Sequence, residues 1–596
     1  MIDEIDNKTL SENECPLVTE LKKLKKSSSE AIDNDESFSE FKKYMHIHRS
    51  IEKDLIDKVK QAKESSKKSL ILVCGNVGDG KSHIISYLKH NRADLLDGFI
   101  IHNDATESRS SKRDEKEELA KVLINFNDEN LSNNVADKII VAINLGVLSN
   151  FIDEEKGKGR DFSKLAEYVD KNNILIDTVT NKCNENNNYF YHINFGDYHI
   201  FRLNNKNIES SYISEVMDKI FSPDKSNYFY SKYTECSRCT VVNCPVKMNY
   251  EMLQNSKVSN GLINVIIEAI VKDKLILSTR ELLDFFYDII VHPNFDKVDF
   301  LKKKNQNNIE IFIKYSLPSL IYEHNEVSTL LKHIKEYDFI NQRTELFDEI
   351  TTRFNTTDNI LDVFNCYITE NPIMNYLRFI DLNEICRKSP KNSELKSNLF
   401  LLFTRMCKLS PKQDDFSIVN AEYTSFIENL FYSVKGDKKK MQNLYRTVEK
   451  CIYNWNGGSY LSKRINLRND VEGYIVSSEL ELDPDIESFC DFSSEDIFER
   501  FPTYINVSIT KKKEPEKSAK VSIDYDLYKI LKLVENGYRP SAKDNNRYIG
   551  FLSFINQLSE YSNFEEEITI QQLTNNQSKK YKLSKGAFGY TFGEEK

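Results

Sequence analysis

The stretch GNVGDGKS, residues 75–82, directly follows the apolar run LILVC (70–74). It fits G-x-x-x-x-G-K-[ST] without mismatch, and it leaves the chain few options. Gly75, Gly78 and Gly80 permit backbone turns that a Cβ would obstruct. The successive amides of Asn76, Val77, Gly78, Asp79 and Gly80 can then point inward and cradle phosphates. In this pattern Lys81 reaches the β- and γ-phosphates, Ser82 holds Mg²⁺, and His83 enters the helix whose N-terminus faces the anion. Asp79 is expected to point outward, because a carboxylate facing phosphates would repel them.

Strands alternating with helices argue for a parallel α/β sheet. The flanking pattern agrees. Residues 38–63 carry apolar residues at helical spacing. GFIIHND (98–104) reads as a second strand, DEKEELAKVLINF (114–126) as a helix, and KIIVAINLGVL (138–148) begins as a third strand. NYFYHINFGDYHIFRL (188–203) reads as a strand pair or a bulged strand. Residues 210–235 read as irregular. Two helices follow, at 261–271 and 279–290, then nearly unbroken helical periodicity to about 455. The end mixes short strands (YINVSIT, AKVSIDY, EEITIQQL) with helices, and TNNQ reads as a hairpin turn.

With 596 residues the chain exceeds one compact core. The expected organisation is an N-terminal arm and helix (1–65), an ATPase core (66–205), a cysteine-containing insertion with a helical lid (206–300), a helical domain (301–458) and a mixed α+β domain (459–596). No apolar run is long enough to cross a bilayer, and the acidic start does not read as a secretory signal. Eleven cysteines, mostly single within apolar stretches, suit a reducing compartment, so a cytoplasmic location is expected. The net charge of −10 means that any DNA contact needs a local basic patch or a partner.

Hydrolysis needs a metal-holding acid and a group that positions water. Asp104 and Glu107, in IIHNDATES, are the candidates; a turn or helix cap is the plainer use of such residues. Asn144 ends a buried strand, and Arg280 opens a later helix. Together these resemble the two sensor positions of AAA+ ATPases, which favours that class over a small-molecule kinase. An arginine finger could come from Arg109, Arg113 or Arg160. Cys236, Cys239 and Cys244 have the spacing of a metal knuckle for zinc or an iron–sulfur cluster, with Cys183, His192 or His199 as a fourth ligand. Free thiols in a cytosolic loop are the competing reading. LKKLKK (21–26) and KKK (511–513) could touch a DNA backbone, although solvated charge is the stronger reading.

Several tracts in order, YMHIHRSIEKDLIDKVKQ, LILVCGNVGDGKSHIISYL, IIHNDATESRS, IIVAINLGVLSNFI and LSTRELLDFF, resemble the DptF family. These are subunits of phosphorothioation-dependent DNA restriction systems in bacteria and archaea. The resemblance is clearest over residues 38–151 and 275–290. It implies an AAA+-like P-loop core with a helical lid, then a mostly α-helical region and a mixed α+β C-terminal part. It also implies ATP and Mg²⁺ as ligands and DptG-like and DptH-like partner subunits. Double-stranded DNA would be met directly or through them, in defence against unmarked DNA. No nuclease motif is recognisable in this chain. The alternatives are a nucleotide-loaded scaffold without appreciable turnover, or another AAA+ or signalling ATPase sharing only the core.

Overall fold

The computed structural model describes residues 15–25, 38–102, 119–133, 137–157, 162–175, 189–204, 207–241, 243–297, 308–341, 345–378, 382, 390–412, 420–458, 460–468, 473–485, 501–572 and 579–594. The chain divides into two compact units. One comprises Met1–Arg202 with Glu209–Ile418, the other Leu203–Ile208 with Val419–Lys596.

The first unit is built on a four-stranded parallel sheet. Its strands are β1 (Ser69–Cys74), β2 (Ile100–His102), β3 (Lys138–Ile143) and β4 (Phe190–Asn194), in the order β2-β3-β1-β4. β1 pairs with both central neighbours, Leu70 lying opposite Ile139 on one side and Phe190 on the other. All six of its residues are buried. Alternate side chains enter different cores, which is why the strand reads as a continuous apolar run. Ile71 and Val73 meet Ile51, Leu55 and Val59 of α3 (Ser50–Glu64) and Ile84, Ile85 and Leu88 of α4 (Lys81–Asn91). Leu70, Leu72 and Cys74 meet Leu148 and Phe151 of α5 (Leu145–Gly157) and Leu165 and Tyr168 of α6 (Ser163–Lys171).

Part of the N-terminal arm is packed: α1 (Pro16–Leu21) and the 3-10 turn Lys22–Leu24 bury Leu17, Leu21 and Leu24. Two local expectations change. The helix expected over 38–63 is two, α2 (Glu40–Met45) and α3, because His46 leaves the helical path to lie between Tyr87 and Glu52. Residues 210–235 are mostly helical, as α7 (Ser211–Phe221) and α8 (Tyr228–Thr234). The polar residues that suggested a loop are N-caps: Ser210 accepts the Ile213 amide, and Asn227 those of Phe229 and Tyr230. β4 runs into a 3-10 turn, Phe195–Asp197, and the short strand Arg202–Asn204 is separate from it.

Further helices are α9 (Pro245–Gln254), α10 (Ser256–Asp273) and α11 (Thr279–Asp288), and a helical region continues to α12 (Pro390–Leu409). α10 and α12 pack closely at Gly261, where a Cβ would lie 1.9 Å from the Leu409 carbonyl oxygen. Beside that contact Glu268 holds Lys272 (2.5 Å) and Lys408 (2.8 Å), so the buried carboxylate is paired twice.

The second unit holds two antiparallel sheets. Five strands, Arg464–Arg468 (β5), Tyr474–Glu479 (β6), Glu567–Gln572 (β10), Lys579–Gly586 (β11) and Gly589–Glu594 (β12), are ordered β12-β11-β10-β6-β5. Leu482–Pro484 (β7), Ile505–Lys511 (β8) and Glu514–Ile523 (β9) make the other. Residues TNNQ lie outside the described residues, between paired strands. The KKK tract forms the β8–β9 tip, with Lys511 paired to Glu514 and Lys512 to Glu481. Among the described residues no helix is long and apolar enough to cross a membrane.

His192 is not an available surface ligand. It is buried on β4, and its Nδ1 pairs with the Tyr168 hydroxyl (2.8 Å). Burial pushes its pKa down from 6.5 to about 4, with a smaller push from Lys58. The unfolded chain therefore binds a proton that the fold refuses. This contribution to stability is fully present above about pH 6.5 and is lost as pH falls toward 4, amounting to about 3 kcal/mol. Chemical denaturation of the His192→Gln variant across that window should show a flatter dependence than the parent.

Candidate functional site: the glycine loop and its cleft

The loop after β1 takes its shape from its glycines. Gly78 and Gly80 have φ of +89° and +99°, in the left-handed region. Gly75 is needed for a different reason, since a Cβ there would lie 2.9 Å from both Asp79 Oδ2 and Phe195 Cβ. Gly80 stands at the N-cap of α4, so the first-turn amides of that helix open toward the loop.

Two side chains hold the loop from within. The Lys81 ammonium, buried at 4% exposure, donates to the carbonyls of Gly75 (3.1 Å) and Asn76 (2.7 Å). The Asp79 carboxylate turns inward instead of outward. It accepts the Asn76 amide at 2.6 Å, stapling the loop across three residues. Burial pushes its pKa up, against the pull of that amide and of Lys81 and Arg49. Val77 stands at the exposed tip.

His83 continues the site away from the loop. Its Nε2 pairs with His46 Nδ1 (3.1 Å), and His46 Nε2 pairs with Glu52 Oε2 (3.1 Å). The His46 ring stacks on Tyr87 at 3.5 Å and 8°. Burial alone would raise the pKa of Glu52; the hydrogen bonds and charges of His46 and His48 outweigh it and leave the carboxyl below its ordinary value. His46, His48 and Glu52 gather three atoms of metal-ligand type. Both nitrogens of His46 are already engaged, so this group works as a hydrogen-bonded relay bracing the start of α4 against the α2–α3 link.

The loop forms one wall of a cleft within the first unit. Gly78 to Ile84 line it, Ser82 and His83 included. The opposite walls come from separate elements: the arm (Lys23, Leu24), the α2–α3 region (Phe41, Lys42, Arg49), Tyr212 of α7, and Thr279 and Arg280 at the start of α11. α11 is anchored by a capping box between Ser278 and Glu281, and the Ser278 hydroxyl lies where a Gly78 Cβ would come within 3.0 Å. The Arg49 guanidinium sits over the Tyr212 ring at 4.8 Å. Among the described residues, five cationic side chains, Lys23, Lys42, Arg49, Lys81 and Arg280, line the cleft, against one carboxylate, Asp79. In a chain of net charge −10 this is a local reversal of sign.

The structure thus brings the loop residues and Arg280 together. Asn144 follows the end of β3, one strand from β1 on the same edge of the sheet, and its Oδ1 accepts the Gly146 amide (2.9 Å), as a helix cap does. Asp104, Glu107, Arg109, Arg113, Arg160 and Cys183 lie outside the described residues. Cys236, Cys239 and Cys244 are not among the residues that line the cleft. His199 contacts the Phe201 ring at 5.4 Å. The sequence reading missed Lys23, Lys42, Arg49 and Tyr212. The basic tracts LKKLKK and FKKYMHIHR were the available signal, but Lys23 of the first lines the cleft and Lys25 pairs with Asp288 and Asp284 (2.8 and 3.2 Å). No family model, curated protein or solved structure matches the chain.

Gly78→Ala should strain a positive φ and crowd Ser278. It is expected to cost about 1–2 kcal/mol in thermal or denaturant unfolding, whereas Val77→Ala at the exposed tip should leave stability unchanged.

Proposed function

We propose that this chain binds ATP with Mg²⁺ in the glycine-loop cleft and hydrolyses it as a subunit of a phosphorothioation-dependent DNA restriction complex. The observation that carries the nucleotide part is the cleft itself. A glycine loop at a helix N-terminus meets, among the described residues, five cations and one carboxylate, a charge balance that suits a triphosphate. Leu24 and Phe41 supply an apolar and aromatic wall suited to a base.

Lys81 would leave the carbonyls of Gly75 and Asn76 for the β- and γ-phosphates, and the amides of the loop would take the oxygens. Ser82, with Asp104, would hold Mg²⁺, which screens the charge of the transferring phosphoryl group. The strands β2, β3 and β1 are parallel, so their carboxyl ends share one edge of the sheet. Asp104 follows the end of β2 by two residues in the chain, a position that supports an acid role near that edge. Glu107 would orient water, Asn144 would read the γ-phosphate by exchanging its cap hydrogen bond, and Arg280 would couple the phosphates to the lid helix α11. The AAA+ class, the restriction complex, the DptG-like and DptH-like partners and the contact with double-stranded DNA rest on the resemblance of the sequence tracts. DNA cutting is assigned to another subunit.

Equilibrium titration with a fluorescent ATP analogue and Mg²⁺ tests the binding. Lys81→Ala should weaken it about 100-fold, the scale of one lost charge-assisted contact of about 3 kcal/mol. Glu107→Gln should keep the binding and lose the turnover. Absence of any magnesium-dependent nucleotide affinity in the parent would overturn the proposal, and undiminished binding without turnover, in the presence of DNA and partners, would favour the scaffold reading.

A further inference from the structure

The link between α2 and α3 carries its side chains in alternation. Met45, Ile47 and Arg49 line the cleft. His46 and His48, between them, meet the Glu52 carboxylate in the first turn of α3. His46 Nε2 lies 3.1 Å from Glu52 Oε2, and His48 Nδ1 lies 3.1 Å from the same oxygen and 3.2 Å from Oε1. The three ligand atoms fall within 4.8 Å of one another, and among the described residues no other group of three or more His, Cys, Asp or Glu does so. Cys236, Cys239 and Cys244 do not gather in that way.

We propose that His46, His48 and Glu52 form a zinc-binding site, with His46 Nε2, His48 Nδ1 and the Glu52 carboxylate as ligands and water in the fourth position. Two imidazoles and a carboxylate are the donor set of an open tetrahedral zinc site, whereas Mg²⁺ and Ca²⁺ take oxygen ligands. Bonds of about 2.0–2.2 Å set tetrahedral edges of about 3.4 Å. The 3.1 Å separations therefore need to open only slightly to admit the ion. The hydrogen-bonded relay described above is this same group with protons between nitrogen and oxygen. The cation takes their place, and the protons leave to solvent.

Two features set this group apart from an ordinary ion pair. The His46 ring is held from α4 at its edge and its face: Nδ1 pairs with His83 Nε2 at 3.1 Å, and the ring stacks on Tyr87 at 3.5 Å. A ligating imidazole needs such a partner for its second nitrogen, which fixes the tautomer that turns the Nε2 lone pair to the metal. The ligands are also graded in exposure. The side chains of His46 and Glu52 are 4% and 7% exposed, and that of His48 is 74% exposed. A bond from so exposed an imidazole contributes little in water, but an exposed ligand gives an ion its path from solvent and room for its water. The ion would pin the link that carries Ile47 and Arg49 into the cleft wall. The proposal does not depend on what the cleft binds.

Titration of the EDTA-treated full chain with zinc, against a competing chelator, tests the site. His48→Ala, a change at an exposed side chain that should leave the fold intact, should weaken zinc binding about 100-fold. His90→Ala, further along α4, should leave it unchanged. Zinc-edge X-ray absorption of the chain loaded with one equivalent should show nitrogen and oxygen neighbours at about 2.0–2.2 Å and no sulfur at about 2.3 Å. Hydrogen exchange across residues 45–49 should slow on adding zinc to the parent and not to His48→Ala. Absence of zinc affinity, equal affinity in the parent and His48→Ala, sulfur around the zinc, or displacement of zinc by an equal concentration of Mg²⁺ would each overturn the assignment. Unchanged exchange in the link would overturn the pinning.

Discussion

The arrangement of the N-terminal unit depends on one constraint, the complete burial of β1. Its residues are covered on both faces, and both of its edges are hydrogen-bonded in parallel to β3 and β4. A strand held that way has one exit, at its carboxyl end, and the chain must turn there without room for side chains. Phe195, just past β4, occupies the space where a Gly75 Cβ would go. The glycine loop is therefore shaped by the sheet beneath it as much as by its own sequence, and the carboxyl edge of a parallel sheet is where ligands collect.

The loop supplies donors but encloses little. The cleft is completed by parts of the chain that have no local reason to be near it: a turn from the arm, the link between α2 and α3, Tyr212 and the start of α11. Each brings a cation or an apolar surface. Capping by Ser278 and the His83–His46–Glu52 relay hold two of these walls in register with the loop. The Asp79 staple and the Lys81 hydrogen bonds to the Gly75 and Asn76 carbonyls are contacts within the loop, which hold its shape independently of the other walls.

What the sequence revealed follows from the range of the interactions involved. The loop and its flanking strand and helix were legible because glycine spacing, a doubly buried strand and a helix start are all local. The helical middle and the C-terminal strands were legible from periodicity. The order β2-β3-β1-β4 was not, since it depends on pairing between strands far apart in the chain, one of them only three residues long. Ser210 and Asn227 suggested loop because the same residue types serve turns and caps, and only the following amides distinguish the two uses. Arg49 looked like ordinary surface charge, because the Tyr212 ring it covers lies more than a hundred residues away along the chain. Asp79 was misjudged for a physical reason: repulsion from phosphate was weighed, but the unpaired Asn76 amide that a tight loop leaves behind was not.

One contact described above is of a different character from the rest. Lys25 joins the arm to α11 through Asp284 and Asp288, and it is only partly shielded from water. Burial alone would lower its pKa, yet the two carboxylates raise it. Such a tie weakens as dissolved ions accumulate, since screening at physiological ionic strength already acts over about 8 Å. Screening does not weaken the apolar contacts of Leu17, Leu21 and Leu24, so the arm stays seated while its grip on α11 is graded. The closeness of the arm wall to the α11 wall is thereby tunable by the salinity of the surrounding medium without any change in the core.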